Sequence, residues 1–541
     1  LLADWQGWSW FFSPYLTVFW GLVWGIIFWL NERWGFFLLI FFLVFENFSA
    51  GGVMGISLRP YQLAGAVLFL IVVFKWLLRK NKIELLSFSK ICFFCRFFGK
   101  SCQMTSEKKY FGSFDRLVFL LPFLALISVA FSPLEKSFLV KGELVLLSLV
   151  ALYWIFRNFL EDEEARRKAP FFVFLGSVPV LVSGFWQAFF MRAGDNRFVV
   201  MPERINTTFT EPDWLGVYLA VFLAFLLWLR RYFSKNKINL KVGNFPINRI
   251  VQIILWLWIG VVFFEALLTV SRSSWLGLGA VLCFYFFFWL KDFYQKEQKL
   301  VVLVKEFLAI FSIGMVALGA VIFLGFSNFD FSNRAASSFS GKQEITVSCP
   351  LGTILPTEIE SIEKLSFWHC RHIRLEEIET EKKAGREVLK IYRPDPNVEI
   401  RKNIYQKSWQ AFWQRPFWGW GLGSSGLILG KDERGAGLNS SNIFLEAFLS
   451  LGLIGGAIFS LLLLLPLGKG IKEALKRGSS IDKNIKKCYN LRCELVVLCF
   501  TGFLVPNIFN AGIFLALLWL LLAFGGFWFL EKAENEKEEE K

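Results

Sequence analysis

Three short polar segments interrupt an otherwise apolar chain, and their residue types suit the handling of a bulky anion. The first, RINTTFTEPDW at 204–214, sets Arg204, Glu211 and Asp213 among Asn206, Thr207, Thr208 and Thr210. Its amide and hydroxyls are the partners a sugar uses, and its charges equally suit a loop facing water. The second, Ser271–Arg272–Ser273–Ser274, separates two apolar runs with no real loop between them. A charge so close to lipid is costly and marks a functional position, unless the side chain snorkels to the interface. The third covers 401–446, RKNIYQKSWQAFWQRPFWGWGLGSSGLILGKDERGAGLNSSNIFLE. It opens on Arg401, passes a glycine-rich turn with Gly421 and Gly423, and ends with Asn439, Ser440, Ser441 and Asn442 at the mouth of the next apolar run.

Arginine grips a pyrophosphate through a planar fork that lysine lacks. The stretch GWGLGSSG resembles a phosphate-cradling loop only loosely, since no Gly-Lys-Ser/Thr follows, and a plain turn fits it equally. With no nucleotide-binding motif beside Arg204, Arg272 and Arg401, a lipid-linked pyrophosphate suits them better than ATP. Glu211 and Asp213 are the candidate bases. No cofactor and no metal are expected. His369 and His372 are the only histidines and read as surface residues. The Cys92-x-x-Cys95 pair, with Cys102 following, lacks the second pair a zinc site needs.

The elements that must position these residues are membrane spans. The chain has 541 residues, 55% of them hydrophobic, with 64 Phe and 23 Trp. The apolar residues fall in runs near the length of a bilayer crossing, and Trp favours the headgroup interface. Runs occur at 11–30, 34–48, 60–78, 115–133, 138–159, 169–190, 213–230, 250–270, 274–290, 300–325, 441–467, 494–511 and 513–530. The expected fold is therefore an all-α polytopic membrane protein with twelve or thirteen transmembrane helices, because 34–48 is short for a crossing. A β-barrel would show short alternating segments instead.

The formal charge of +15 follows from Lys and Arg in three loops, 79–114, 230–249 and 468–492. Counting spans puts all three on one side, which the positive-inside rule makes the cytoplasm. This explains the charge without a nucleic-acid partner. The segments 191–212, 271–274 and 326–440 then lie together on the extracytoplasmic face of a multi-pass membrane protein.

The expected division is 1–199, N-terminal spans; 200–325, core spans; 326–440, a large extracytoplasmic loop; 441–530, C-terminal spans; and 531–541, a disordered acidic cytoplasmic tail. The loop is long enough for a small α+β subdomain. GKQEITVSC and REVLKIYR alternate as strands do. Cys349 and Cys370 lie where disulfides persist and are a candidate pair. Asp395 or Asn397 can cap a helix over 398–414, with Arg401 in its first turn, where helix N–H groups favour an anion.

At four of these places the chain resembles the O-antigen ligase and polymerase superfamily, bacterial glycosyltransferases of the outer face of the inner membrane. The matching pieces are RINTTFTEPDWLGVYLA, LLTVSRSSWLGL, RKNIYQKSW with RPFWGWGLG, and SSNIFLEAFLSLGLIGG, in that order. The resemblance covers roughly 200–460. It implies transfer of a glycan from an undecaprenyl-pyrophosphate carrier to a hydroxyl on a lipid, protein or glycan acceptor, without nucleotide sugar or obligatory metal. It also implies that Arg272 and Arg401 bind the pyrophosphate. The family places a His, its candidate base, before the Asn of the last motif; this chain has Ser441 before Asn442. Two other readings compete: a transporter or flippase for a lipid-linked or anionic solute, and a non-catalytic scaffold. A transporter predicts charges at the membrane midplane and repeated halves, whereas here no clear repeat is visible and the charges sit at one face.

Overall fold

The structure is a computed structural model, and it describes residues 14–48, 51–53, 56–78, 112–191, 199, 204–236, 241–242, 245–296, 298–325, 341–360, 362–373, 377–394, 396–431, 437–475 and 483–539. Cys92, Cys95, Cys102 and Asp395 lie outside these residues. The chain divides into two compact units, one of residues 1–318 with 408–541 and one of residues 319–407.

The larger unit is helical. In order come α1 (Pro14–Leu30), α2 (Glu32–Phe42), α3 (Pro60–Leu77), α4 (Ser113–Phe131), α5 (Lys136–Phe159), α6 (Glu163–Phe190), α7 (Pro212–Asn236), α8 (Ile247–Leu268), α9 (Arg272–Tyr294) and α10 (Leu300–Phe323). Two small hairpins, β1 (Gly51–Val53) with β2 (Ile56–Leu58) and β3 (Lys241–Val242) with β4 (Phe245–Pro246), join neighbours. Among the described residues nine helices are long and apolar enough to cross a membrane, and two shorter apolar helices cover Val18–Leu30 and Ala516–Trp528. The protein is thus a polytopic all-α membrane protein. The stretch 34–48 departs from the apolar run: α2 stops at Phe42 and a turn follows.

Burial ranks the spans. The window in Pro212–Lys235 is 78% buried, against 22% for Leu300–Phe323. So α7 is a central helix, and α10 turns side chains such as Val301, Phe311 and Val316 outward, as lipid in place of water allows. Around α7 pack α8, α9 and the later α15 (Lys483–Asn507). Small residues set the distances: a Cβ on Gly502 would lie 2.8 Å from the Ala220 carbonyl oxygen.

Helix α12 (Pro396–Gln414) starts two residues before the expected boundary, so Arg401 falls in its second turn. Beyond it are α13 (Ser425–Leu429), α14 (Ile443–Leu475), α15 and α16 (Ala516–Glu539). The acidic segment from 531, expected to be disordered, continues α16 as helix to Glu539. Glu, Lys and Ala are good helix formers, and extending an existing helix avoids the cost of nucleation.

The smaller unit carries a three-stranded antiparallel sheet in the order β6-β5-β7, from β5 (Lys342–Cys349), β6 (Arg371–His372) and β7 (Glu387–Pro394). The strand pair β5–β7 places Ile345 opposite Ile391 and Val347 opposite Leu389. These side chains build a core with Ile359 and Leu365. A disulfide joins Cys349 to Cys370 inside that core. The short helix α11 (Ile378–Lys383) supplies Glu381, which accepts a hydrogen bond from the Ser348 hydroxyl and pairs with Arg371. The Arg371 guanidinium, and then the Ser348 hydroxyl, hold the Glu381 carboxyl below the usual carboxylate range.

Candidate functional site

At one end of α7, α8 and α9 the first two polar segments meet. The turn before α7 is held by Gln187 of α6, whose Oε1 accepts the N–H groups of Asn206 at 3.0 Å and Thr207 at 2.8 Å. Thr207 itself has a positive φ of 50° and is buried. Arg204 donates from Nε to the Thr269 carbonyl at 2.8 Å and pairs through Nη2 with Asp213 at 3.2 Å. Of the two candidate bases, Asp213 is thus tied to Arg204, and Glu211 lies half-buried at the start of α7, its carbonyl accepting from Trp214 and Leu215.

The turn from α8 to α9 is tight. Val270 takes a φ of 50°, and the Ser271 hydroxyl accepts the Ser274 N–H as N-cap. Arg272 is the first residue of α9 and is half-buried, while Ser271, Ser273 and Ser274 are buried. The Ser274 hydroxyl donates to the Gly216 carbonyl of α7 at 3.2 Å, which fixes this turn against the start of α7. Free N–H groups and the helix dipole at such an end favour an anion, and Arg272 adds a full charge there.

The third segment reaches the same place through residues the sequence reading passed over. Asn442 caps α14, its Oδ1 accepting the N–H groups of Phe444 and Leu445 at 3.0 Å each, while its Nδ2 donates to the Ile508 carbonyl. Two residues later Asn510 donates from Nδ2 to the Ser273 hydroxyl at 3.1 Å. The connection after α15, PNIFNAGIF from Pro506, therefore links the mouth of α14 to the Ser271–Ser274 turn. Its signal was present in the sequence, since Pro506, Asn507, Asn510 and Gly512 interrupt two apolar runs just as Ser271–Ser274 does. Ser441 sits before the cap with a φ of 48°, its N–H held by Asn439 Oδ1 at 2.9 Å. Glu446, on the first turn of α14, is buried and accepts from the Ser440 N–H at 2.8 Å and from the Ser425 hydroxyl.

The glycine-rich turn does other work. Helix α14 breaks at Gly452, which has φ 69° and ψ −169°. A break in a membrane span strands polar backbone groups that lipid cannot satisfy. The turn fills it: Trp420 and Gly421 donate their N–H groups to the carbonyls of Leu449 and Ser450 at 3.0 and 2.9 Å, and the Leu453 N–H donates to Pro416 at 2.7 Å. Ser128 of α4 adds a hydroxyl to the Ser450 carbonyl at 2.8 Å. The approach needs glycine on both sides. A Cβ on Gly452 would lie 2.2 Å from the Phe417 oxygen, and one on Gly419 would lie 2.5 Å from the Gly452 nitrogen. Gly421 spends its N–H on this contact, which is a backbone plug rather than a phosphate cradle; Gly423 has a φ of 81° and passes close to Gly142 of α5.

Arg401 belongs to the smaller unit. It is half-buried on α12 one turn before Tyr405. Burial raises the Tyr405 hydroxyl above its ordinary range, and the Arg401 charge opposes that rise.

No curated protein matches the chain. Residues 253–460 match the family model described as O-antigen ligase. That stretch contains the Ser271–Ser274 turn, Arg401, the turn that plugs α14, and the capped start of α14. The polar end of the bundle and this match fall on the same stretch, and over residues 253–460 the chain is similar to the O-antigen ligase family.

Proposed function

We propose that this protein transfers a glycan from an undecaprenyl-pyrophosphate carrier to an acceptor hydroxyl on the extracytoplasmic face of the bacterial inner membrane. The observation that carries the reading is Arg272, half-buried at the first position of α9, with the Ser271 cap behind it and Arg204 on the neighbouring turn. In this reading Arg272 and Arg401 neutralise the diphosphate and stabilise it as leaving group, an electrostatic contribution that grows as charge develops. Arg204 helps bind the donor. Asn439, Ser441 and Asn442 orient the acceptor, and Thr207 lies in the sugar-facing edge. A base takes the acceptor proton as its oxygen bonds to the anomeric carbon. Glu211 and Asp213 are the candidate carboxylates for that step, and Asp213 is paired with Arg204. The reaction, in this reading, calls on no nucleotide and no metal.

The experiment is transfer by purified protein in lipid, from a lipid-linked oligosaccharide donor, with Arg272→Ala and Arg401→Ala. Loss of transfer in both, with unchanged thermal unfolding, is the expected result. Full activity in both variants removes the pyrophosphate assignment. Flux of the donor across liposomes without transfer supports the flippase reading in its place.

A further inference from the structure

Beneath the Arg204 turn lies a group the reading above does not use. Glu265, one turn before the end of α8, is completely buried. Neither of its carboxyl oxygens has a hydrogen-bond partner among the described residues. The niche is shaped for it: a Cβ on Gly184 of α6 would lie 2.3 Å from Glu265 Oε1, so the glycine makes the space the carboxyl occupies. Tyr218 of α7 is within electrostatic reach of Glu265, and its buried hydroxyl also lacks a partner. One turn along α6 from Gly184, Gln187 holds the turn in which the Thr207 hydroxyl is likewise buried and without a partner. Glu265 and Tyr218 thus leave three hydrogen-bonding atoms unsatisfied, and the Thr207 hydroxyl, on the turn that Gln187 holds, adds a fourth.

An ionised carboxylate in such surroundings, with no cation paired to it, is disfavoured against the neutral acid. A neutral acid and two hydroxyls need a ligand that both donates and accepts, and water is the smallest that does. The region is joined to the candidate site by backbone. Thr269 donates its N–H to the Glu265 carbonyl, and its own carbonyl accepts from Arg204 Nε. On the turn joined to it, Arg204 pairs with Asp213 at 3.2 Å and not with Glu265.

We propose that Glu265, with Tyr218 and Thr207, forms a hydrated proton-relay site in which Glu265 rests as the neutral acid and serves the transfer reaction. This rests on the transferase reading above. As the anomeric carbon–oxygen bond breaks, its electron pair goes to the diphosphate oxygen, which receives a proton passed from Glu265 through water. As the acceptor oxygen bonds to the anomeric carbon, the proton it loses goes to Glu211 or Asp213 and returns through water to Glu265. The acid ends the cycle as it began, and no other reactant is consumed. Glu265 touches no reacting atom and is a positioning and relay residue.

The test uses full-length protein in lipid nanodiscs. Infrared difference spectra with hydrogen–deuterium exchange are expected to show a protonated carboxyl band that Glu265→Gln removes. A wild-type spectrum without that band overturns the neutral acid. Glu265→Gln keeps the shape and neutrality of the acid and is expected to unfold at the wild-type temperature. It is also expected to lose roughly 100-fold in transfer, the scale of general acid–base help. Glu265→Asp is expected to restore part of the rate with a displaced pH profile. Full transfer with an unchanged pH profile in Glu265→Gln overturns the relay. Absence of transfer in the wild type overturns the transferase reading and the relay with it, while the infrared band still decides the protonation state separately.

Discussion

Helices α7 and α9 carry charge at both of their ends and use it in opposite ways. At one end Arg231 is fully buried, bonded from Nε to Glu494 at 2.5 Å and from Nη2 to Asp292 at 2.7 Å and to the Phe288 carbonyl at 2.9 Å. Lys235 joins both carboxylates, at 2.9 and 3.4 Å. Two cations face two carboxylates across α7, α9 and α15, and each of the four charges has an opposite partner. At the other end Arg272 starts α9 half-buried in the turn of Ser271, Ser273 and Ser274, and the Asn510 amide donates to the Ser273 hydroxyl. The first end is held by ion pairs between buried charges; the second is a turn of hydrogen-bonded serines opened by a half-buried arginine, which the proposed function assigns to the donor.

Substitutions at each end test that contrast. Arg231→Ala removes the buried cation bonded to both carboxylates, and is expected to cost about 3–5 kcal/mol of stability. Thermal unfolding in detergent measures it, and an unchanged midpoint breaks the contrast. Arg272→Ala is expected to lower transfer roughly 10²–10³-fold, the scale for removing one charge-stabilising donor, with unfolding unchanged. A variant that unfolds early instead makes Arg272 a second structural arginine. Gly452→Ala tests the plug between α14 and the glycine turn. The left-handed backbone and the overlap with Phe417 are together expected to cost roughly 2–4 kcal/mol, read as a lower unfolding temperature. Wild-type stability shows that the break in α14 relaxes freely.

The smallest effect belongs to the 319–407 unit. Glu381 has its folded value lowered by Arg371, so its stabilising effect is fully present above the ordinary carboxylate value. It fades as pH falls through that value into the lowered one. Limited proteolysis of the full-length protein is expected to cut 319–407 faster on acidification through that window, and Glu381→Gln is expected to flatten the response. Equal acid sensitivity in the variant assigns it to other groups.

Much of this was legible in the chain. Among the described residues the apolar runs are mostly helix, because lipid permits few other ways to satisfy a backbone. The strands β5 and β7 follow from β-branched alternation, and the arginine turns from charge beside apolar runs. The glycine turn fits a loose phosphate loop and a plain turn equally in the sequence, since glycine marks close approach without saying what approaches. Only contact with Gly452 shows that the neighbour is a broken helix. Gln187 was invisible for a related reason: an amide within an apolar helix acquires meaning only from the residue it bonds. Glu265 is the extreme case, a single acid in an apolar run whose isolation is a property of three neighbouring helices.

By itself, then, the sequence determined the membrane class, the helices, the strands of the small unit and the arginines worth testing, because hydropathy and local periodicity act over a few residues. The tertiary structure decided which of those charges are satisfied, which backbone break is plugged and which acid stands alone. Those depend on groups hundreds of residues apart, as Arg231 and Glu494 are, and solvation in a bilayer interior is set by whatever packing brings beside the charge.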